Sequence, residues 1–186
     1  LDIIAHSVTL LSIIIGIGLT EMLGNFHKLI RNRTRVTWDW LPVAWATTLF
    51  ILVINYWWGI YLGVVGLKNV HNAAEFGLIL VPAILLFLST ASVLPNFGDT
   101  QEWDMHRHYN DQRKTFILTF TLYQCSTWIT ALMTQALGWD VVSALRTAIL
   151  VLLATLLLVS RRKLDWIVVL LIMAVLVFRL TTQLVK

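Results

Sequence analysis

Five side chains place a polar group inside an apolar stretch, and these are where chemistry is expected: Glu21, Asn55, Gln124, Gln135 and Arg146. Polar groups in a hydrocarbon layer are costly, so they mark ion or solute pathways or structural pairs. Gln124 and Gln135 lie eleven residues apart, three helical turns, and therefore align. Beside them runs a face of Thr115, Thr119, Tyr123, Ser126, Thr130 and Thr134, with Trp128 next to the glutamines. Amides this deep need partners, either on other helices or on a permeating solute and its water. Glu21 precedes Lys28 and Arg31; it is a proton or cation site, or it reaches the interface and pairs with those bases. Arg146 has Asp2, Glu75 and Asp140 as candidate partners, in a structural salt-bridge cluster or an outward-facing anion site.

Enzyme signatures are missing. The chain has no Gly-rich phosphate loop, no His-Glu-x-x-His, no Gly-x-Ser-x-Gly and no pair of cysteines. Cys125 stands alone in an apolar span, where a thiolate is disfavoured. Asp104, His106, His108 and Asp111 are the nearest approach to a metal site, but on a helix two residues apart point about 200° away from each other. The expectation is no metal, no cofactor and no catalytic residue.

These residues need elements to hold them, and composition decides which kind. Of 186 residues, 58% are apolar and 13% charged, against about 45–50% and about 25% in soluble domains; mean hydropathy is +0.78. A soluble fold of this size cannot hide so much apolar surface. Six apolar stretches, about 3–23, 41–63, 75–94, 115–137, 141–160 and 164–182, are each long enough to cross a hydrocarbon layer of about 30 Å as a helix. The expected fold is an all-α bundle of six transmembrane helices, in three hairpins, forming one transmembrane domain.

Basic residues orient it. Lys28, Arg31, Arg33, Arg35, Arg107, Arg113, Lys114, Arg161, Arg162 and Lys163, ten of the fourteen, fall between spans 1 and 2, 3 and 4, or 5 and 6. That side is expected to be cytoplasmic, with both termini outside. The net charge of +4 is thus a topology signal and gives no reason to invoke nucleic acid. Trp38, Trp40 and Trp166 mark the basic side, and Tyr56, Trp57, Trp58, Tyr61 and Trp139 the other, as interfacial rings do.

Within span 1, His6, Thr9, Ser12, Gly16, Thr20 and Gly24 share a helical face, suited to close helix packing or to lining a pore, packing being the commoner use. Asp39-Trp40 opens span 2 and Asp165-Trp166 opens span 6; each Asp is expected to accept from free backbone N–H groups at its helix start. The echo reflects an internal repeat or the same demand met twice.

Span 1 with Gly16-Ile-Gly-Leu-Thr-Glu-Met-Leu-Gly24, the basic loop, Trp38-Asp-Trp-Leu-Pro-Val-Ala-Trp45 and Trp57-Trp58 resemble small multispan proteins of bacteria that carry no assigned function. The resemblance covers about the first third of the chain and implies a bacterial inner membrane. It brings no catalytic residue, substrate or cofactor.

Two functions fit these residues. One is passage of an ion or small solute through the bundle, or along the axis of a homo-oligomer, using Glu21, Asn55, Gln124, Gln135 and Arg146. The other is a non-transporting membrane partner or sensor subunit that acts through its basic loops and the polar segment Asn96–Lys114. They differ in whether the buried polar groups face a wet cavity.

Overall fold

A computed structural model describes residues 3–61, 73–95, 103–134 and 141–184. The described chain is all-helical: α1 (Ile3–Arg31), α2 (Trp40–Tyr61), α3 (Ala73–Val93), α4 (Met105–Thr134), α5 (Val141–Leu158) and α6 (Arg162–Leu184). A single 3-10 turn, Arg33–Arg35, follows α1. Two two-residue strands, β1 (Val36–Thr37) and β2 (Trp103–Asp104), pair in parallel with Val36 opposite Trp103.

Among the described residues, α1, α2 and α3 contain stretches long and apolar enough to cross a membrane: Ser7–Arg31, Trp40–Ile60 and Phe76–Val93. A shorter apolar stretch, Ser143–Leu158, makes up most of α5. α2 is the most enclosed of the three spans and packs on α6, α3 and α1, while α3 lies mainly against α4 and α1. Its apolar character runs all round the helix, as expected of a helix with neighbours on several sides.

Two helices overrun the spans expected from the sequence. α1 continues eight residues past Leu23, through Lys28 and Arg31, because cations near a helix C-terminus suit its dipole. It stops where the Asn32 amide bonds back to the Lys28 carbonyl at 3.0 Å. α4 begins at Met105 rather than near Thr115. Asp104 Oδ1 caps it, accepting from the His106 and Arg107 N–H groups at 2.9 and 3.0 Å. Ten residues of the expected polar loop are therefore helix, and Arg107, Arg113 and Lys114 are carried on α4.

α1 meets its neighbours along Ser7, Leu11, Ile15, Gly18, Met22, Asn25 and Leu29, all buried at spacings of three and four. This is a different face from the small-residue stripe. A Cβ at Gly18 would lie 3.2 Å from Phe87 and Thr90, whereas Gly16 and Gly24 have nothing within 4 Å. Ser12, on the stripe's edge, accepts from Trp57 Nε1 at 3.2 Å. Thr20 turns back onto the Gly16 carbonyl at 2.8 Å. Close packing of α1 thus runs through Gly18 and not through Gly16 or Gly24.

Pro82 sits inside α3. It has no N–H to offer the Leu78 carbonyl, and its ring crowds that turn. Two neighbouring helices bring hydroxyls to this turn: Thr130 Oγ1 of α4, which bonds Ser126 O at 2.9 Å, also stands 3.4 Å from Leu78 O, and Tyr56 OH of α2 donates to Ile79 O at 3.1 Å. Freed carbonyls in an apolar layer need such partners. Closer to the starts of α2 and α4, Trp45, Phe116 and Phe120 form a fully buried aromatic cluster, with Trp45 edge-on to both rings at 5.1 and 5.9 Å.

Candidate functional site

The starts of α2, α4 and α6 converge at one end of the bundle. The strand pair ties the segments ahead of α2 and α4 together, and the three-residue turn Val159–Arg161 brings α5 directly into α6. All ten basic residues singled out by topology lie at this end, on α1, its following turn, the first turns of α4, and the start of α6.

Two carboxylates organise it, and both belong to the Asp-Trp echo. Asp165, in the first turn of α6, is 1% exposed. Arg113 of α4 grips it with two prongs, Nε to Oδ2 at 2.8 Å and Nη2 to Oδ1 at 2.7 Å. The same guanidinium donates to the Leu156 and Val159 carbonyls at 3.0 and 3.2 Å and to Ser160 Oγ at 3.3 Å. Tyr109, one turn earlier on α4, donates its hydroxyl to Asp165 Oδ2 at 3.2 Å. Arg113 therefore closes the carbonyls left open at the end of α5 while fixing the start of α6. The sequence reading of Asp165 as a backbone cap is replaced: its oxygens serve Arg113 and Tyr109.

Asp39 does cap α2, accepting from the Leu41 N–H at 3.0 Å. Its oxygens also take both bonds from Arg162 Nη2, at 2.6 and 2.5 Å, and His106 Nδ1 stands 3.1 Å away. Arg162 Nη1 approaches the same His106 nitrogen at 2.6 Å. α2, α4 and α6 thus meet at one carboxylate. Trp38 and Trp40 flank it with stacked rings, centroids 6.3 Å apart.

The electrostatics follow from this geometry. Burial pushes the Asp39 carboxyl up, but Arg162, the Leu41 N–H and His106 together outweigh burial and hold it below the usual carboxylate value. The bonds to Asp165 raise the Arg113 guanidinium further against the cost of burial. Burial, then the Asp165 charge, pushes the Tyr109 phenol up. His108 is lowered by burial, despite its contact with the Ser92 backbone, and its Nε2 is buried without a partner. His106 and His108 thus serve different neighbours. No three His, Cys, Asp or Glu side chains converge among the described residues.

The residues picked out inside the spans are not brought together by any ion pair or hydrogen bond among the described residues. Glu21 is half-buried on the flank of α1 and takes part in none of the described ion pairs. Asn55 is 9% exposed, and its Nδ2 has no partner. Gln124 is half-buried on α4, and Trp128 Nε1 near it is buried without a partner. Arg146 is half-buried on α5. Gln135, Asp2 and Asp140 lie outside the described residues, and the Glu75 side chain is not among those described. The middle of the polar face of α4 packs inward, with Thr119 meeting Ser89 of α3 at 3.2 Å and Tyr123 edge-on to Tyr56 at 6.1 Å, while Thr115 is exposed.

Sequence reasoning missed the Arg113–Asp165 and Asp39–Arg162 pairs because it read these cations as topology charges. The usable signal was an Asp repeated at two helix starts on the basic side. It also missed Pro82, whose place inside an apolar span marks one carbonyl, that of Leu78, in need of a donor.

Comparison of the chain with protein-family models, with curated proteins and with solved structures finds no match.

Proposed function

We propose that this chain is a six-span membrane protein of three hairpins, its basic end cytoplasmic and both termini outside, and that it acts as a non-transporting partner or sensor subunit presenting that end to the cytoplasm. A bacterial inner membrane is the membrane the sequence resemblance favours. The observation that carries the functional reading is the packing between the two polar regions. Trp45, Phe116 and Phe120, each fully buried, fill the space between the ion pairs at the basic end and the hydroxyls around Pro82. A solute path needs hydrogen-bonding groups at successive depths, and in this layer the three rings offer one indole N–H, Trp45 Nε1, which is buried without a partner, and otherwise present hydrocarbon. The built polar chemistry lies instead at the basic end, where α2, α4 and α6 share their ion pairs.

The orphan amide of Asn55 favours a second reading, passage of an ion or small solute, because a buried donor without a partner is what a permeating group would meet. In that reading Glu21, Gln124, Gln135 and Arg146 extend the path, alone or in a homo-oligomer.

One experiment separates them. With Cys125 replaced by Ser, a cysteine at Asn55 or at Phe120 is exposed in proteoliposomes to a small impermeant thiol reagent from either side. The partner reading predicts no labelling at either position and no flux of monovalent cations, protons or anions. Labelling at both, with flux altered by Gln124→Leu, overturns it in favour of transport.

A further inference from the structure

The turn between α1 and α2 is more built than a topology signal requires. Asn32 closes the end of α1, its N–H donating to the Lys28 carbonyl at 3.1 Å, and the Arg35 N–H returns to the Asn32 carbonyl at 2.8 Å. Trp38 Nε1 then donates to the Arg33 carbonyl at 3.3 Å, which holds the indole beside the arginine turn. Trp40 stacks on Trp38, and the two rings are 67% and 37% exposed. Between them Arg162 is fixed on Asp39, which places its neighbours Arg161 and Lys163 at the same corner. Lys28, Arg31, Arg33, Arg35, Arg161 and Lys163 are all exposed, and none has a carboxylate within 4.0 Å among the described residues.

We infer that this corner is a binding surface for anionic phospholipid headgroups of the leaflet that surrounds the basic end. Charge complementarity asks for an anion, since six exposed cations stand against one exposed carboxylate, Asp104 opposite Thr37, which forms no described ion pair with them. Depth selects a lipid over a soluble acidic partner. Lys28 and Arg31 lie in the last turn of α1 and Lys163 in the first turn of α6, at the level where apolar helices leave the hydrocarbon. Exposed indoles with one polar edge favour that level too. The headgroup phosphate would sit among the guanidinium groups while the rings of Trp38 and Trp40 lie against the upper acyl chains. Fixed turn geometry lowers the ordering cost of such a contact. This inference rests on the membrane reading above and not on the choice between partner and transport.

The test uses the full chain in nanodiscs of phosphatidylcholine, with or without phosphatidylglycerol. Quenching by brominated acyl chains is read as the part of the fluorescence that Trp38→Phe and Trp40→Phe remove. The expected result is stronger quenching by brominated phosphatidylglycerol than by brominated phosphatidylcholine at equal mole fraction. Arg33→Gln, Arg35→Gln and Lys163→Gln together should abolish that preference, with apparent affinity falling about fivefold per cation removed, about a hundredfold in all. Equal quenching by both lipids, with the protein inserted, overturns the headgroup surface and leaves the membrane reading standing. Quenching by neither, with the protein extractable by alkaline wash, overturns the membrane reading itself. Loss of the preference on adding millimolar inorganic phosphate or polyglutamate at constant ionic strength overturns the lipid assignment in favour of a soluble anion.

Discussion

The basic end and the Pro82 turn of α3 solve one problem, polar groups away from water, by opposite means. At the basic end full charges are buried, and the buried guanidinium is fully engaged: Arg113 spreads over Asp165, two carbonyls and Ser160, while the neutral His108 Nε2 is left over. Around Pro82 no charge takes part among the described residues. Neutral hydroxyls of Tyr56 and Thr130 meet backbone carbonyls of α3, and one amide, Asn55 Nδ2, is left over. Depth explains the contrast. A buried ion pair holds only where bonding is complete, and the open carbonyls at the end of α5 make that attainable. In the apolar zone, hydroxyls on backbone carbonyls are the cheaper way to join helices.

Breaking the charged region should have the largest effect. Arg113→Met leaves Asp165 buried without its cation and should cost about 3–5 kcal/mol, read from denaturant unfolding in detergent. A cost under about 1 kcal/mol would place Asp165 in water and undo the contrast. Asp39→Ala removes a helix cap and the anchor of a half-exposed Arg162, so about 2 kcal/mol is expected.

The Pro82 turn should respond more weakly. Tyr56→Phe should cost about 1 kcal/mol by leaving the Ile79 carbonyl short of a donor. In a Pro82→Ala background the cost of Tyr56→Phe should stay about the same, because the helical donor of the Ile79 carbonyl is the Ala83 N–H, which Pro82 leaves in place. A clearly smaller cost would show that the proline ring had opened the Ile79 carbonyl. Asn55→Leu sharpens the comparison by sign: removing an unsatisfied buried donor should leave stability unchanged or raise it by about 1 kcal/mol. A marked loss on Asn55→Leu would mean that the amide has a partner in the membrane.

Acid should act on the charged region in two windows. The His108 value lies below its ordinary 6.5, so between those values the unfolded chain binds the extra proton. Stability therefore falls as pH drops from about 6.5 towards the folded value and levels off below it. His108→Gln should flatten that window. Asp39 lies below its ordinary 3.8, so its contribution is complete above that pH and is lost as pH falls through the folded value. Thermal melts across pH 3 to 8 of the parent and the two variants Asp39→Asn and His108→Gln check both windows.

Much of this architecture is legible in sequence, for reasons that also mark where legibility ends. Apolar runs reveal helices, and the gathering of ten cations predicts which helix ends share a side. Neither reports where a helix stops, since Lys28, Arg31 and the residues Met105–Lys114 continue helices that composition assigns to loops. Periodicity in α1 shows that Thr9, Ser12, Gly16 and Thr20 share a face. It does not show which face meets α3, because lipid and helix are both apolar neighbours, and the contact falls at Gly18. Pairings such as Arg113–Asp165, separated by 52 residues, depend on the packing of three helices and leave no local trace. Polar residues in spans, by contrast, announce themselves whether or not they act together, which is why Glu21, Asn55 and Gln124 were picked out more readily than the ion pairs.

The account turns on Arg113 and Asp165 acting as one unit that fastens α4 and the end of α5 to the start of α6. A double-mutant cycle measures this directly: Arg113→Met, Asp165→Leu and the double variant, unfolded by denaturant in the same detergent. The pair as described predicts that each single change destabilises strongly and that the double variant recovers at least about 2 kcal/mol relative to the sum of the singles. Costs that add without coupling would contradict it.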